Sequence, residues 1–154
     1  MLSEKELNDL KECISHFPQK RAAGIEALKV IQHHRGWVSD EGITDLADFL
    51  EMSPDELDNV ATFYNIILRK PVGKHVIFVC DSITCYIKGY GKILDYFKEK
   101  HNLTFGETTP DNRFTLLPIP CLGTCDHAPA MMVDDDLHTD LDKDNISRIL
   151  EQYK

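Results

Sequence analysis

Four of the five cysteines in this chain fall into two close pairs, Cys80-x4-Cys85 and Cys121-x3-Cys125. Each pair begins where an apolar, strand-like run gives way to a loop. Loops that follow strands can wrap a metal group and aim backbone N–H groups at its sulfurs, while the strands hold them rigidly. A [2Fe–2S] centre takes four thiolates, two per iron, and two local pairs answer that demand. Two rival chemistries stay open at this point. Structural zinc also takes four thiolates, usually with one pair two residues apart, although wider spacing is tolerated. A thioredoxin-type thiol catalyst requires Cys-x-x-Cys, and neither pair has it. Plant-type ferredoxins share the x4 pair but place the third cysteine two residues on, whereas here 35 residues separate Cys85 from Cys121. A Rieske centre replaces two cysteines with histidines, and four cysteines make that unnecessary.

The rest of the composition narrows the setting. The chain has 154 residues, 42% hydrophobic and 28% charged, with net charge −9. This is the balance of a soluble globular protein with a core large enough to need no disulfides. No basic run is present to track phosphates, so nucleic acid is not an expected partner. The longest apolar run, Val76 to Cys80, is far too short to cross a bilayer, so no direct membrane insertion is expected. Met1-Leu2-Ser3-Glu4-Lys5-Glu6 lacks the features of a secretory or transit peptide, which predicts a cytoplasmic protein. Structural disulfides are rare there, and metal is the first explanation for five cysteines.

The elements that must position the cysteines follow from periodicity. Ser3 and Glu6 form a capping-box pattern ahead of Leu10, Cys13, Ile14 and Phe17. Ile25, Leu28 and Ile31 mark a second helix ending near Arg35-Gly36. Ser39 can cap a third, with Ile43, Leu46, Ala47 and Leu50 on one face. Ser53-Pro54-Asp55-Glu56 opens a fourth, with Leu57, Val60, Ala61 and Tyr64 as its buried stripe. After a turn-rich stretch at 69–74, residues 75–80 read as a strand buried on both faces. Tyr90, Ile93, Leu94 and Phe97 indicate a helix, residues 114–117 and 131–133 two strands, and Ile146, Ile149, Leu150 and Tyr153 a closing helix. The order is strand, helix, strand, strand, helix, an α/β arrangement.

The segments Val79-Cys80-Asp81-Ser82-Ile83-Thr84-Cys85 and Pro120-Cys121-Leu122-Gly123-Thr124-Cys125-Asp126-His127-Ala128-Pro129 resemble the cluster loops of the thioredoxin-like [2Fe–2S] subunits of NADH:quinone oxidoreductase, respiratory complex I. Gly36-Trp37-Val38-Ser39-Asp40-Glu41 and Val60-Ala61-Thr62-Phe63-Tyr64 are similar to further segments of that family, so the resemblance spans nearly the whole chain. It implies a helical bundle over 1–70 followed by a thioredoxin-like [2Fe–2S] ferredoxin domain over 71–154. It implies one [2Fe–2S] cluster on Cys80, Cys85, Cys121 and Cys125, and one-electron exchange with FMN on a neighbouring subunit that also binds NADH. Further peripheral-arm subunits and a place at the cytoplasmic face of the inner membrane are implied with it. The same module resembles subunits of NAD-linked hydrogenases and formate dehydrogenases, and a zinc-stabilised interaction module is the alternative from another class. Asn112 stands where the family's turn usually has Gly, and Asn tolerates the left-handed conformation.

Other residues have plainer expected roles. Cys13 reads as a buried free thiol, and His33 and His34 as a helix C-terminus. His127 reads as a loop histidine, with a hydrogen bond to a cluster sulfur as the sharper alternative. Asp134-Asp135-Asp136 reads as a solvated turn, and at least one of Met131 and Met132 as core. No Gly-x-Gly-x-x-Gly or Gly-x-x-x-x-Gly-Lys-[Ser/Thr] motif cradles a nucleotide. Part of the helical surface near Trp37 and Phe63-Tyr64 is expected to meet the flavin-bearing partner.

Overall fold

Short polar residues placed one position ahead of apolar periodic runs set the helices of the first part. A computed structural model describes residues 1–154. The chain divides into two compact units, Met1–Pro71 and Val72–Lys154. In the first, Ser3 and Glu6 close a reciprocal capping box on α1 (Glu4–Ser15). α2 (Gly24–Arg35) ends on Gly36, which takes the left-handed φ of 80°. Ser39 caps α3 (Asp40–Leu50) through Gly42 N–H, and Ser53 and Glu56 box the start of α4 (Pro54–Phe63). Leu10, Leu28, Ile31, Leu46, Leu50 and Leu57 form the centre of this unit's core. Two expected stripe residues fall outside it: α1 and α4 stop before Phe17 and Tyr64, and Tyr64 is exposed. Cys13 is half-buried on α1, less enclosed than its apolar neighbours suggest.

One charged side chain lies inside this apolar setting. Glu6 is buried, and its carboxylate takes Arg35 Nε at 2.5 Å and Arg35 Nη2 at 3.2 Å, besides the Ser3 backbone N–H at 2.7 Å. The capping-box glutamate therefore also fastens α1 to the end of α2.

The second unit is built on a four-stranded sheet of order β2-β1-β3-β4. β1 (His75–Cys80) is buried along almost its whole length, as its continuous apolar run requires. It pairs in parallel with β2 (Phe114–Ile119) and antiparallel with β3 (Met131–Val133), which pairs in turn with β4 (Asp136–His138). Between β1 and β2 the chain forms α5 (Ile83–Lys88) and α6 (Tyr90–His101), and α7 (Lys143–Leu150) closes it. Ile77, Val79, Phe97, Leu116, Met131, Val133 and Ile146 are packed in one core, so Met131 is the buried methionine of the pair.

Two elements depart from the expected order. α5 has no counterpart in it, because six residues between Ser82 and Gly89 are too few to show a helical period. β4 takes up Asp136, so only Asp134 and Asp135 form the turn, with Asp134 at φ 53°. Asp134 is more than solvated, because its carboxylate accepts from Val76 N–H at 2.9 Å and bonds His75 Nδ1 at 2.7 Å, pinning the hairpin to β1. Asn112 has φ 56°, the conformation its turn demands. Gly73 is required for a different reason: a Cβ there would meet the Asn112 and Arg113 backbone at 3.0–3.2 Å.

The Arg35 hydrogen bond, opposed by burial and reinforced by Ser3, lowers the Glu6 carboxyl from its ordinary 4.5 to about 2. A carboxyl depressed on folding stabilises the fold fully above 4.5, and that contribution fades as pH falls through about 2. Its size is about 3 kcal/mol. Glu6→Gln should therefore lower stability at pH 7 by about 2–3 kcal/mol in denaturant melts, and its deficit against the wild type should shrink steadily below pH 4.5. A deficit independent of pH would mean that the carboxylate charge plays no part.

Candidate iron–sulfur site

The sheet order dictates where the second cysteine pair goes. β2 and β3 lie on opposite sides of β1, so the segment joining them, residues 120–130, has to cross the C-terminal end of β1. Cys80 is the last residue of β1. It pairs with Ile119 on the β2 side, and its N–H bonds Ala130 O at 3.1 Å on the β3 side. The crossing segment thus leaves and returns on either side of Cys80, carrying Cys121 two residues past the end of β2.

Cys85 lies in the first turn of α5, its side chain on the buried face. Cys80 and Cys85 are both about 2% exposed, whereas Cys121 and Cys125 are exposed. Burial first, and then the adjacent Cys80 thiol, push the Cys85 thiol up to about 11, while a hydrogen bond from the Ala130 backbone pulls the other way. Cys125 adds a smaller push of the same sign, which puts it within electrostatic reach of Cys85. The structure therefore brings Cys80 and Cys85 together with Cys125 near them. It does not close three or more side chains into a finished metal-holding group.

The crossing segment is shaped for sulfur. Gly123 has φ 79° and donates its N–H to Cys121 Sγ at 3.3 Å. Such a donor favours anionic sulfur. Residues 125–127 form one turn of 3-10 helix, and the Ala128–Pro129 bond is cis. His127 is committed elsewhere: its Nδ1 lies 2.9 Å from Asp140 Oδ2 and its Nε2 3.5 Å from Asp126 Oδ2. It is the loop histidine of the plain reading, hydrogen-bonded to the Asp140 carboxylate and not to sulfur. Cys13 lies in the other unit, and His34 bonds Asp9 at 2.7 Å at the end of α2.

Four free thiols on the end of β1, on the segment that crosses it and on α5, a backbone N–H already on one of them, and a buried Thr124 hydroxyl without a partner suit an iron–sulfur group. Sequence reasoning missed Thr124 because nothing in the spacing reveals that a threonine hydroxyl will be shut from solvent.

A sheet of this order with thiols at the end of its central strand defines a ferredoxin of thioredoxin-like fold. The chain belongs to the thioredoxin-like [2Fe–2S] ferredoxin family, whose model matches residues 10–154, and one [2Fe–2S] cluster is its cofactor. It is 45% identical over 153 residues to the E subunit of NADH-quinone oxidoreductase from Pseudomonas aeruginosa, covering 99% of this chain and 92% of that one. Its counterpart from Escherichia coli is 47% identical with the same coverage. Among solved structures, the NAD+-reducing [NiFe]-hydrogenase in its H2-reduced state matches 82% of this chain with a TM-score of 0.68 and 21% identity. This chain spans only 22% of that hydrogenase chain, and the likeness is one of fold.

Burial predicts unequal thiols in the metal-free protein. Iodoacetamide at neutral pH should modify Cys121 and Cys125 first and Cys85 much more slowly, with the gap narrowing as pH rises toward 11. Mass spectrometry of the alkylated peptides gives the order, and equal rates at all four thiols would contradict the enclosure of Cys85.

Proposed function

We propose that this chain is an electron-transfer subunit of an NADH-oxidising respiratory complex, passing single electrons between the FMN of a neighbouring subunit and a [2Fe–2S] cluster on Cys80, Cys85, Cys121 and Cys125. The observation that carries the reading is the crossing of residues 120–130 over the end of β1, which runs the Cys121–Cys125 segment past Cys80. The identity of 45–47% to E subunits of NADH-quinone oxidoreductase, over nearly all of the chain, favours that complex over a hydrogenase. When bound, the cluster supplies one-electron redox chemistry. The chain's own residues supply the thiolates, the Gly123 N–H and the enclosure that keeps water from the Cys80–Cys85 side. The sequence offers no phosphate-cradling glycine motif, so the NADH and FMN sites are assigned to the partner subunit. Residues 1–70 act as a helical docking and packing domain and residues 71–154 as the cluster domain. No helix is long and apolar enough to cross a membrane, and attachment at the cytoplasmic face of the inner membrane is through the complex.

α5 supports the partner assignment. Its inward face holds Cys85, while Ile83, Tyr86 and Ile87, spaced as neighbours on the opposite face, are 68%, 66% and 75% exposed. Apolar side chains this exposed beside a redox site suit burial against another subunit. On this reading the flavin-bearing subunit covers them, because electron exchange requires that subunit to approach the end of the sheet where Cys85 lies.

Two measurements test the proposal. Cysteine-to-serine changes at positions 80, 85, 121 and 125 should each reduce or abolish iron content and the electron paramagnetic resonance signal of the reduced protein, while Cys13→Ser leaves both intact. A normal signal in any of the four removes that residue from the ligand set. In the second, NADH should reduce the cluster only when the flavin-bearing subunit is present, at a low midpoint comparable to the plant-type value of about −400 mV. Ile87→Glu should weaken that association by at least about tenfold, since it leaves a charge at an apolar contact, without changing the cluster signal. A positive midpoint, or a cluster that never exchanges electrons with the flavin, would overturn the assignment.

A further inference from the structure

Thr124 stands between Gly123 and Cys125, in the segment that crosses the end of β1. Its backbone is already used, since its carbonyl accepts from His127 N–H at 3.0 Å. Its hydroxyl is not: Oγ1 is shut from solvent, and no acceptor of the chain is within reach. Native proteins rarely leave a buried polar group unpaired, and such a group calls for a specific account. The other side-chain donor of the loop, His127, hydrogen-bonds Asp140 through Nδ1 and is itself exposed. The hydroxyl is therefore the side-chain donor left over beside Cys125, in a loop whose backbone already donates to the Cys121 sulfur.

We propose that the Thr124 hydroxyl is a positioning donor for the cluster, giving its hydrogen bond to a cluster sulfur and raising the reduction potential. This rests on the assignment of the cluster to Cys80, Cys85, Cys121 and Cys125. The added electron makes the sulfurs more negative, so a hydrogen bond to sulfur favours the reduced form over the oxidised one. Thr124→Val keeps the branched shape and removes the donor, and Thr124→Ser keeps the donor and removes a methyl group.

The test is a redox titration of the full-length, cluster-loaded protein, followed by electron paramagnetic resonance, on the wild type, Thr124→Val, Thr124→Ala and Thr124→Ser. Both variants without a hydroxyl should have lower midpoints. At the wild-type midpoint their ratio of reduced to oxidised cluster should fall about tenfold, which for one electron is 59 mV. Thr124→Ser should restore the wild-type value. Thr124→Ala is included because it introduces no bulk, so loading of the cluster is retained even where valine crowds the loop. A role in packing alone would lower thermal stability and leave the midpoint unmoved, and unmoved midpoints in both variants overturn the proposal. A midpoint that falls equally in Thr124→Ser also overturns it, because the methyl group is then responsible. A wild-type protein that takes up zinc but no iron and sulfide defeats the cluster reading itself, an outcome distinct from either of these.

Discussion

The placement of β1 between a parallel and an antiparallel neighbour is the constraint on which the rest of the second unit depends. A parallel neighbour on one side requires a long crossover, filled here by α5 and α6. An antiparallel neighbour on the other side requires the chain to pass from β2 to β3 over the end of the strand between them. The crossing segment leaves beside Cys80 and re-enters the sheet opposite Val79, so both of its ends lie at the C-terminal end of β1. The first cysteine of the chain's α/β half is the last residue of that middle strand, so hydrogen-bond registry carries the segment that holds Cys121 and Cys125 past Cys80. No contact among the cysteines is needed to specify this. The backbone ladder on each side of Cys80 does it.

The opposite end of the sheet is held by polar groups that a purely apolar account would omit. Asp134 ties the β3–β4 turn to β1 through Val76 N–H and His75. The Tyr153 hydroxyl donates to Asp136 Oδ2 at 2.8 Å, so His138 Nε2, 2.9 Å away, must donate to its oxygen. Burial and then Asp136 push the Tyr153 phenol up to about 12, which keeps it a donor throughout the physiological range. Arg113, just before β2, bonds the carbonyls of Leu150 and Tyr153, and Lys74, just before β1, bonds that of Lys154. The segment after α7 is thereby fixed to the strands entering the sheet. Both strands that lead to the cysteines are thus anchored at their starts, and the cysteine-bearing segments follow their opposite ends.

How much of this is legible in the residues depends on whether the determining physics is local. Capping is local, and Ser3, Ser39 and Ser53 mark three helix starts that the structure reproduces. Burial of a continuous apolar run is nearly local, and β1 follows from it. α5 is not legible by periodicity, because its six residues span under two turns and its exposed face is the apolar one. An inverted pattern of that kind does not follow from burial within the chain. β4 is too short for a period and owes its pairing to β3. The candidate site divides in the same way. Cysteine spacing names four residues, but the inequality between enclosed Cys80 and Cys85 and exposed Cys121 and Cys125 depends on sheet order, which spacing does not encode.

That inequality has a consequence for electron transfer. A thiolate pair in low dielectric surroundings resists additional negative charge, whereas a pair facing solvent or a partner can have that charge screened. A cluster held as proposed by Cys80, Cys85, Cys121 and Cys125 would meet one enclosed and one exposed pair of sulfurs. Cys121 and Cys125 lie on the segment that also carries the Gly123 N–H and the Thr124 hydroxyl. Cys80 and Cys85 are held by the end of β1 and the first turn of α5. A donor or acceptor subunit would gain most by approaching over the crossing segment and the apolar face of α5 together. If a partner covered that surface it would exclude water from the thiols there, so association would shift the potential of a cluster bound to them as well as the distance over which an electron moves.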